Sequence, residues 1–212
     1  MIESMALKLS EAEIGKSPLS EIAKSVENKN MNENELDEPM VKEIGLSNKE
    51  KNILKENGMS DSLIENASKD KNGTIQLKTL NSSLEGIKHD TTLVAYNKKS
   101  IEVGRFRVEG VFPEFESVFD TKLSKENYNA TDKNQFKECN SKLKEAVQND
   151  KILRKNFNEQ QLEMIENGET PRGYTWHHNE RIGEMQLVKT DVHNKTAHTG
   201  GKAIWGGGQE NR

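Results

Sequence analysis

GYTWHHNERIGEMQLVKTDVHNKTAH occupies residues 173–198, and its reading decides the fold. GYTWHHN and EMQLVKT predict two short strands around a turn at Ile182-Gly183, together a hairpin. TDVHNKTAH predicts a short helix with Thr190 or Asp191 as its N-cap. Four of the chain's five histidines, His177, His178, His193 and His198, fall on this unit, within 22 of 212 residues. An even spread would put about half a histidine there.

Imidazole is the commonest neutral metal ligand, and it titrates near physiological pH. A strand pair followed by a helix, with histidine on the first strand and on the helix, is the layout of a ββα-metal site. Neighbouring side chains on a strand point to opposite faces. His177 and His178 are therefore suited to different tasks, one binding an ion while the other faces substrate and water. Phosphodiester hydrolysis uses both: the metal neutralises phosphate charge, and a neutral imidazole takes the proton from attacking water. His193 and His198 are five apart, about 140° round a regular helix. Both can ligate one ion only if the helix ends before His198 and the glycine-rich loop folds it back. Otherwise His193 alone is the helix-borne ligand.

The rest of the chain sets the frame for this unit. Hydrophobic residues make up 32% and charged residues 31% of the sequence, a lean core for this length. No apolar run is long enough to span a membrane, and MIESMALKLSEAEIG lacks the basic start and apolar stretch of a secretory signal. A single cysteine, Cys139, excludes a disulfide framework and a multi-cysteine zinc site, so a metal would use His, Asp or Glu. The net charge of -4 argues against nucleic acid, but residues 171–212 carry +2 and the remainder -6. All eleven aromatic residues lie from Tyr96 onward, which places the expected core in the second half.

Four segments follow. Residues 1–46 read as a polar linker or disordered region, with a short helix at 19–26. Residues 47–90 read as a small α/β lead-in: Ser47-Asn48-Lys49-Glu50 matches a capping box for a helix ending at Gly58, 60–66 is another helix, and 74–79 a strand. Residues 91–170 read as an α+β support region. It has strands at 92–96 and 105–112, the second closed by Pro113. A helix from Thr131 to Val147 buries Phe136, Cys139, Leu143, Ala146 and Val147, and a second helix runs from 158 to 167. Residues 171–212 form the ββα-metal motif, ending in an irregular glycine-rich stretch. The expected fold class is α+β, a helical and strand-containing support domain followed by the C-terminal motif. His89 stands apart and reads as a surface or part-buried residue. Trp176 is expected to anchor the hairpin in the core, whereas Trp205 could be buried or could stack on bases.

The motifs GYTWHH (173–178), MQLV (185–188), His193, Lys195-Thr196, HTGG (198–201) and IWGGG (204–208) resemble the WHH subgroup of the HNH/endonuclease VII nucleases, of ββα-metal, treble-clef type. VEGVFPEFESVFD (108–120), ATDKNQFKECNSKLKEAVQND (130–150) and NGETPRGYTW (167–176) resemble the segments that precede this motif, and the likeness extends over residues 47–212. Such domains form the C-terminal toxins of bacterial polymorphic toxins, including LXG-type toxins. The turn Arg181-Ile182-Gly183-Glu184 stands where a Pro-Gly-Lys-like turn is usual, and Ala197 where glycine is usual.

The resemblance implies a metal-dependent endonuclease acting on DNA, one divalent ion (Mg2+, Mn2+ or Zn2+), and a cognate immunity protein as partner. It also implies delivery into a target bacterial cell to act in the cytoplasm, without membrane insertion by this chain. His177, His193 and His198 would hold the metal, and His178 would be the general base. Arg172, Lys189, Lys195 and Lys202, near the histidines in sequence, are candidate phosphate contacts. The alternatives are an RNase with the same site, or a non-catalytic zinc- or nucleic-acid-binding module.

Overall fold

The computed structural model describes residues 44–211. Residues 1–43 of the expected 1–46 linker, with the helix at 19–26, lie outside the described residues, whereas its last three residues are ordered into the fold: Ile44–Gly45 is a strand and Leu46 is buried in the core. In chain order the elements are β1 (Ile44–Gly45), α1 (Asn48–Glu56), α2 (Asp61–Glu65), β2 (Ser68–Lys69), β3 (Ile75–Gln76), β4 (Ala95–Val103), β5 (Phe106–Glu114), β6 (Ser117–Lys122), α3 (Asp132–Asn149), α4 (Lys151–Arg154), α5 (Glu159–Glu166), β7 (Tyr174–His178), β8 (Glu184–Lys189), α6 (Thr190–Lys195) and α7 (Lys202–Trp205), with three short 3-10 turns between or after them. The mixture is α+β, as expected.

Two sheets organise the chain. One has strand order β1-β2-β3-β5-β4, with β3 parallel to β5; the other, β6-β8-β7, is antiparallel throughout. The predicted capping box is present, as Ser47 accepts from the Glu50 N–H and the Glu50 carboxylate accepts from the Ser47 N–H. A second box, Asn158 with Gln161, starts α5. Pro113 does not close its strand. It lies inside β5 opposite Tyr96. On β5, strand β3 pairs only with Val108 and Glu109. By Pro113 the strand has one sheet neighbour, and a residue without an N–H is tolerated there. Strand β4 runs seven residues beyond the predicted Tyr96, because Asn97, Lys98, Lys99 and Ser100 mask its alternation.

The core is not confined to the second half. Leu54, Met59, Leu63, Ile64 and Ile75 share one buried cluster with Leu143, Trp176, Leu187 and Trp205, since aliphatic side chains bury without aromatic help. Helix α3 turns Gln135, Cys139, Asn140, Leu143 and Val147 inward, while Phe136 and Ala146 are only half-buried. Burial pushes the Cys139 thiol up to about 12, so it packs as a small apolar group. Trp176 is 2% exposed and donates to Asn140 Oδ1 at 2.8 Å, which ties β7 to α3. Helix α6 lies against both strands of the hairpin.

Candidate metal centre

The hairpin register pairs Trp176 with Leu187, His177 with Gln186 and His178 with Met185. Strand alternation therefore sends His177 to one face of the small sheet, and Trp176 and His178 to the other. Helix α6 brings His193 to the His177 side. It ends at Lys195, and Thr196 turns the chain, bonding through its own hydroxyl to the Val192 carbonyl at 2.8 Å. The loop then folds His198 back. The outcome is the first of the two expected: the helix stops short, and all three imidazoles converge.

The ring centroids of His177, His193 and His198 lie 5.4, 4.9 and 4.9 Å apart, and one ligand nitrogen of each lies within 4.8 Å of the others. Nitrogens around a tetrahedral ion at 2.0–2.1 Å stand about 3.4 Å apart. The cluster must close by about an ångström, which imidazole torsions can supply. His198 Nδ1 lies 2.7 Å from the Thr196 carbonyl. A carbonyl only accepts, so Nδ1 carries the hydrogen and Nε2 keeps the lone pair for a metal, the usual tautomer of a metal-ligating histidine. His177 is 3% exposed. Burial, then positive charge at His198, His193, His178 and Lys99, holds its pKa well below the ordinary imidazole value. It is thus neutral and already in ligating form. The donor set fits a transition-metal ion.

Several residues at this centre carry no signal at the motif's spacing. The Phe115 ring packs against all three imidazoles, at 4.8, 5.4 and 5.2 Å. It is 7% exposed and walls one side of the cluster. Lys99 of β4, whose charge acts on His177, pairs with buried Glu180 at 3.0 Å. From the lead-in, the Leu80 N–H donates to Thr199 Oγ1 (2.9 Å) and Asn81 donates to the Ala197 carbonyl (2.8 Å); from the start of the support region, the Thr92 hydroxyl meets that of Thr196 at 2.8 Å. These bonds hold the returning loop from outside the motif.

His178 does not face open water as expected. It is 8% exposed, packed near Trp205 (5.6 Å between rings) and Phe136 (5.8 Å), with Nε2 at 2.7 Å from Gln135 Oε1. Being on the Trp176 side of its strand, the ring turns toward α3.

Lys202 is not a surface cation for phosphate. It is 4% exposed and donates to the Ala130 carbonyl and Gln135 Oε1, both at 2.8 Å, and pairs with Asp132 at 3.0 Å. The helix that begins at Lys202 is packed into the core through Ile204 and Trp205, which leaves its lysine no path to solvent. Arg172, Lys189 and Lys195 are exposed. Arg172 lies in the turn before β7, where its carbonyl accepts from Gln161 Nε2 of α5 at 2.8 Å. Lys189 ends β8 beside Phe115 and Val192, and Lys195 sits on the last turn of α6. The unexpected Glu184 of the turn is met by Arg181 at 3.7 Å.

Residues 104–200, just under half of the chain, match the family described as the DNase/tRNase domain of colicin-like bacteriocin. The matched segment contains all three clustered imidazoles and His178, and the match supports a nuclease toxin domain. No curated protein and no solved structure matches the chain. No helix among the described residues is long and apolar enough to cross a membrane.

Proposed function

We propose that this chain is a metal-dependent endonuclease toxin of the WHH type that cuts DNA in a competing bacterium and is held in check by a cognate immunity protein. The observation that carries the reading is the convergence of His177, His193 and His198 inside the segment that matches a nuclease toxin family. Three ligands leave a coordination position open for water or phosphate, as a catalytic site requires and a closed structural zinc site does not. Among the described residues no fourth His, Cys, Asp or Glu joins the cluster. Three imidazole donors favour a zinc-, nickel- or cobalt-like ion over Mg2+, which prefers oxygen donors.

When bound, the ion would neutralise charge on the scissile phosphate and the leaving oxygen. The chain's own residues keep His177 neutral and the Nε2 lone pair of His198 available, wall one side with Phe115, and offer His178 as the proton acceptor. Lys189 and Lys195, both exposed near α6, are the remaining candidates for phosphate contact. The matched family covers tRNases as well as DNases, so RNA cleavage at the same site is the second reading.

Purified protein incubated with supercoiled plasmid and, separately, with total RNA tests both. We expect plasmid cleavage that EDTA stops and excess Zn2+, Ni2+ or Co2+ restores better than Mg2+. Cleavage of RNA alone would move the assignment to the second reading. Undiminished cleavage in EDTA would overturn the metal centre. Replacing His178 by Ala should lower the rate by ~10²-fold or more with metal affinity nearly unchanged.

A further inference from the structure

The neighbourhood of His178 contains a set of bonds that defines which of its nitrogens can accept a proton. Gln135 is fully buried on the first turns of α3. Its amide nitrogen donates to two backbone carbonyls, those of Asn127 and Tyr128, each at 2.8 Å. An amide held by two carbonyls cannot be turned the other way, because a flipped Oε1 would face two acceptors. Oε1 therefore points at His178 and Lys202.

The Lys202 ammonium donates to Oε1 at 2.8 Å, and His178 Nε2 lies 2.7 Å from the same oxygen. A carbonyl oxygen only accepts, so His178 Nε2 is the N–H partner. The Asp132 carboxylate, 3.7 Å from Nε2, adds negative charge on the same side. In the neutral ring the lone pair then resides on Nδ1.

We propose that Gln135 is a positioning residue for the nuclease reaction: held by the Asn127 and Tyr128 carbonyls and by Lys202, it fixes the ring of His178 as the Nε2–H tautomer, leaving Nδ1 as the nitrogen that takes the proton. The proposal rests on His178 being the proton acceptor. It assigns buried Lys202 a task as well: its ammonium fills the second acceptor site of Oε1 and keeps the amide in place. The arrangement parallels the way a carboxylate orients the histidine of a hydrolytic triad, with an amide in the orienting role.

The test uses the full chain with selectively 15N-labelled histidine in mildly alkaline buffer. Long-range 1H–15N spectra of the wild type, assigned by the His178→Ala variant, should show a protonated Nε2 and a bare Nδ1 for His178. A protonated Nδ1 in the wild type would overturn the proposal, whatever the variants do. Gln135→Met keeps length and removes the acceptor. It should shift the ring toward a tautomer mixture and lower kcat by roughly 10–100-fold, with KM and metal affinity within about twofold. Wild-type kcat and tautomer in a folded Gln135→Met protein would also sink the idea. If His178→Ala cuts DNA at the wild-type rate, the assignment of His178 as proton acceptor fails instead, and the wild-type spectrum still reports whether Gln135 sets the tautomer.

Discussion

At His177 the proposed metal-binding role and the stability of the fold meet in a single side chain. At 3% exposure and among three other positively ionisable imidazoles and Lys99, it is kept neutral by burial first and by those charges second. Its folded pKa lies below its unfolded value, so the unfolded chain takes the proton first. Above pH ~6.5 the group costs nothing; as pH falls below that, metal-free stability should drop by up to ~1.4 kcal/mol per unit. Urea midpoints measured in EDTA from neutral to acid pH should show this loss. His177→Asn should flatten that part of the profile and weaken metal binding by ~10²-fold or more. An unchanged acid slope in the variant would mean that another group sets it. Of the site, the four clustered histidines and the opposite facing of His177 and His178 were legible in the sequence, because strand alternation is local. Phe115, Gln135 and Asp132 were not, since each reaches the histidines only through the packing of β5 or α3. Lys202 was misread for the same reason: a lysine after two glycines looks solvated until the helix it starts is seen to be buried.

At the scale of elements, the site depends on how closely α7 approaches strand β7. The Gly201 N–H donates to the His178 carbonyl at 2.8 Å, and Trp205 Nε1 donates to the Asn179 carbonyl at 2.9 Å. A Cβ on Gly201 would stand 1.8 Å from the Asn179 carbonyl oxygen and 2.6 Å from Trp205 Nε1. Backbone on one side and a buried indole on the other give it nowhere to go. Gly201→Ala should therefore cost about 3 kcal/mol or more and weaken metal binding by displacing the end of β7. Thermal melts with and without metal check this, and a melting temperature equal to wild type would show that α7 can shift freely. The turn makes a similar demand at Gly183, whose φ is +75° and whose Cβ would meet the Tyr128 ring at 2.4 Å. Helices with capping signals and the histidine hairpin could be read from sequence because their signals are short-range. The long β4 could not, since its polar middle hides the period, and Pro113 misled because tolerance of proline depends on which neighbours a strand has.

Across the whole molecule, the segment that matches a nuclease family is not a self-sufficient structural piece. Residues 104–200 contain every imidazole of the cluster but omit β4, which pairs with β5 along nine positions from Ala95 to Val103. They omit α7, with buried Ile204 and Trp205, and the Leu80, Asn81 and Thr92 contacts that hold the loop bearing His198. They also omit Leu54, Met59 and Ile75, members of the same core. The apolar burial lost with these residues is large against a typical stability of ~5–15 kcal/mol. The lead-in therefore acts as the clamp that turns a helix-plus-loop into a three-imidazole centre. A chain of residues 104–200 alone should show no cooperative unfolding by circular dichroism. It should also bind Zn2+ far more weakly than the full chain in calorimetric titration. Restoring residues 44–103 and 201–211 should recover both. Cooperative melting and full-chain affinity in the short piece would mean that the hairpin and α6 set the site by themselves, and that the lead-in serves some task other than shaping the centre.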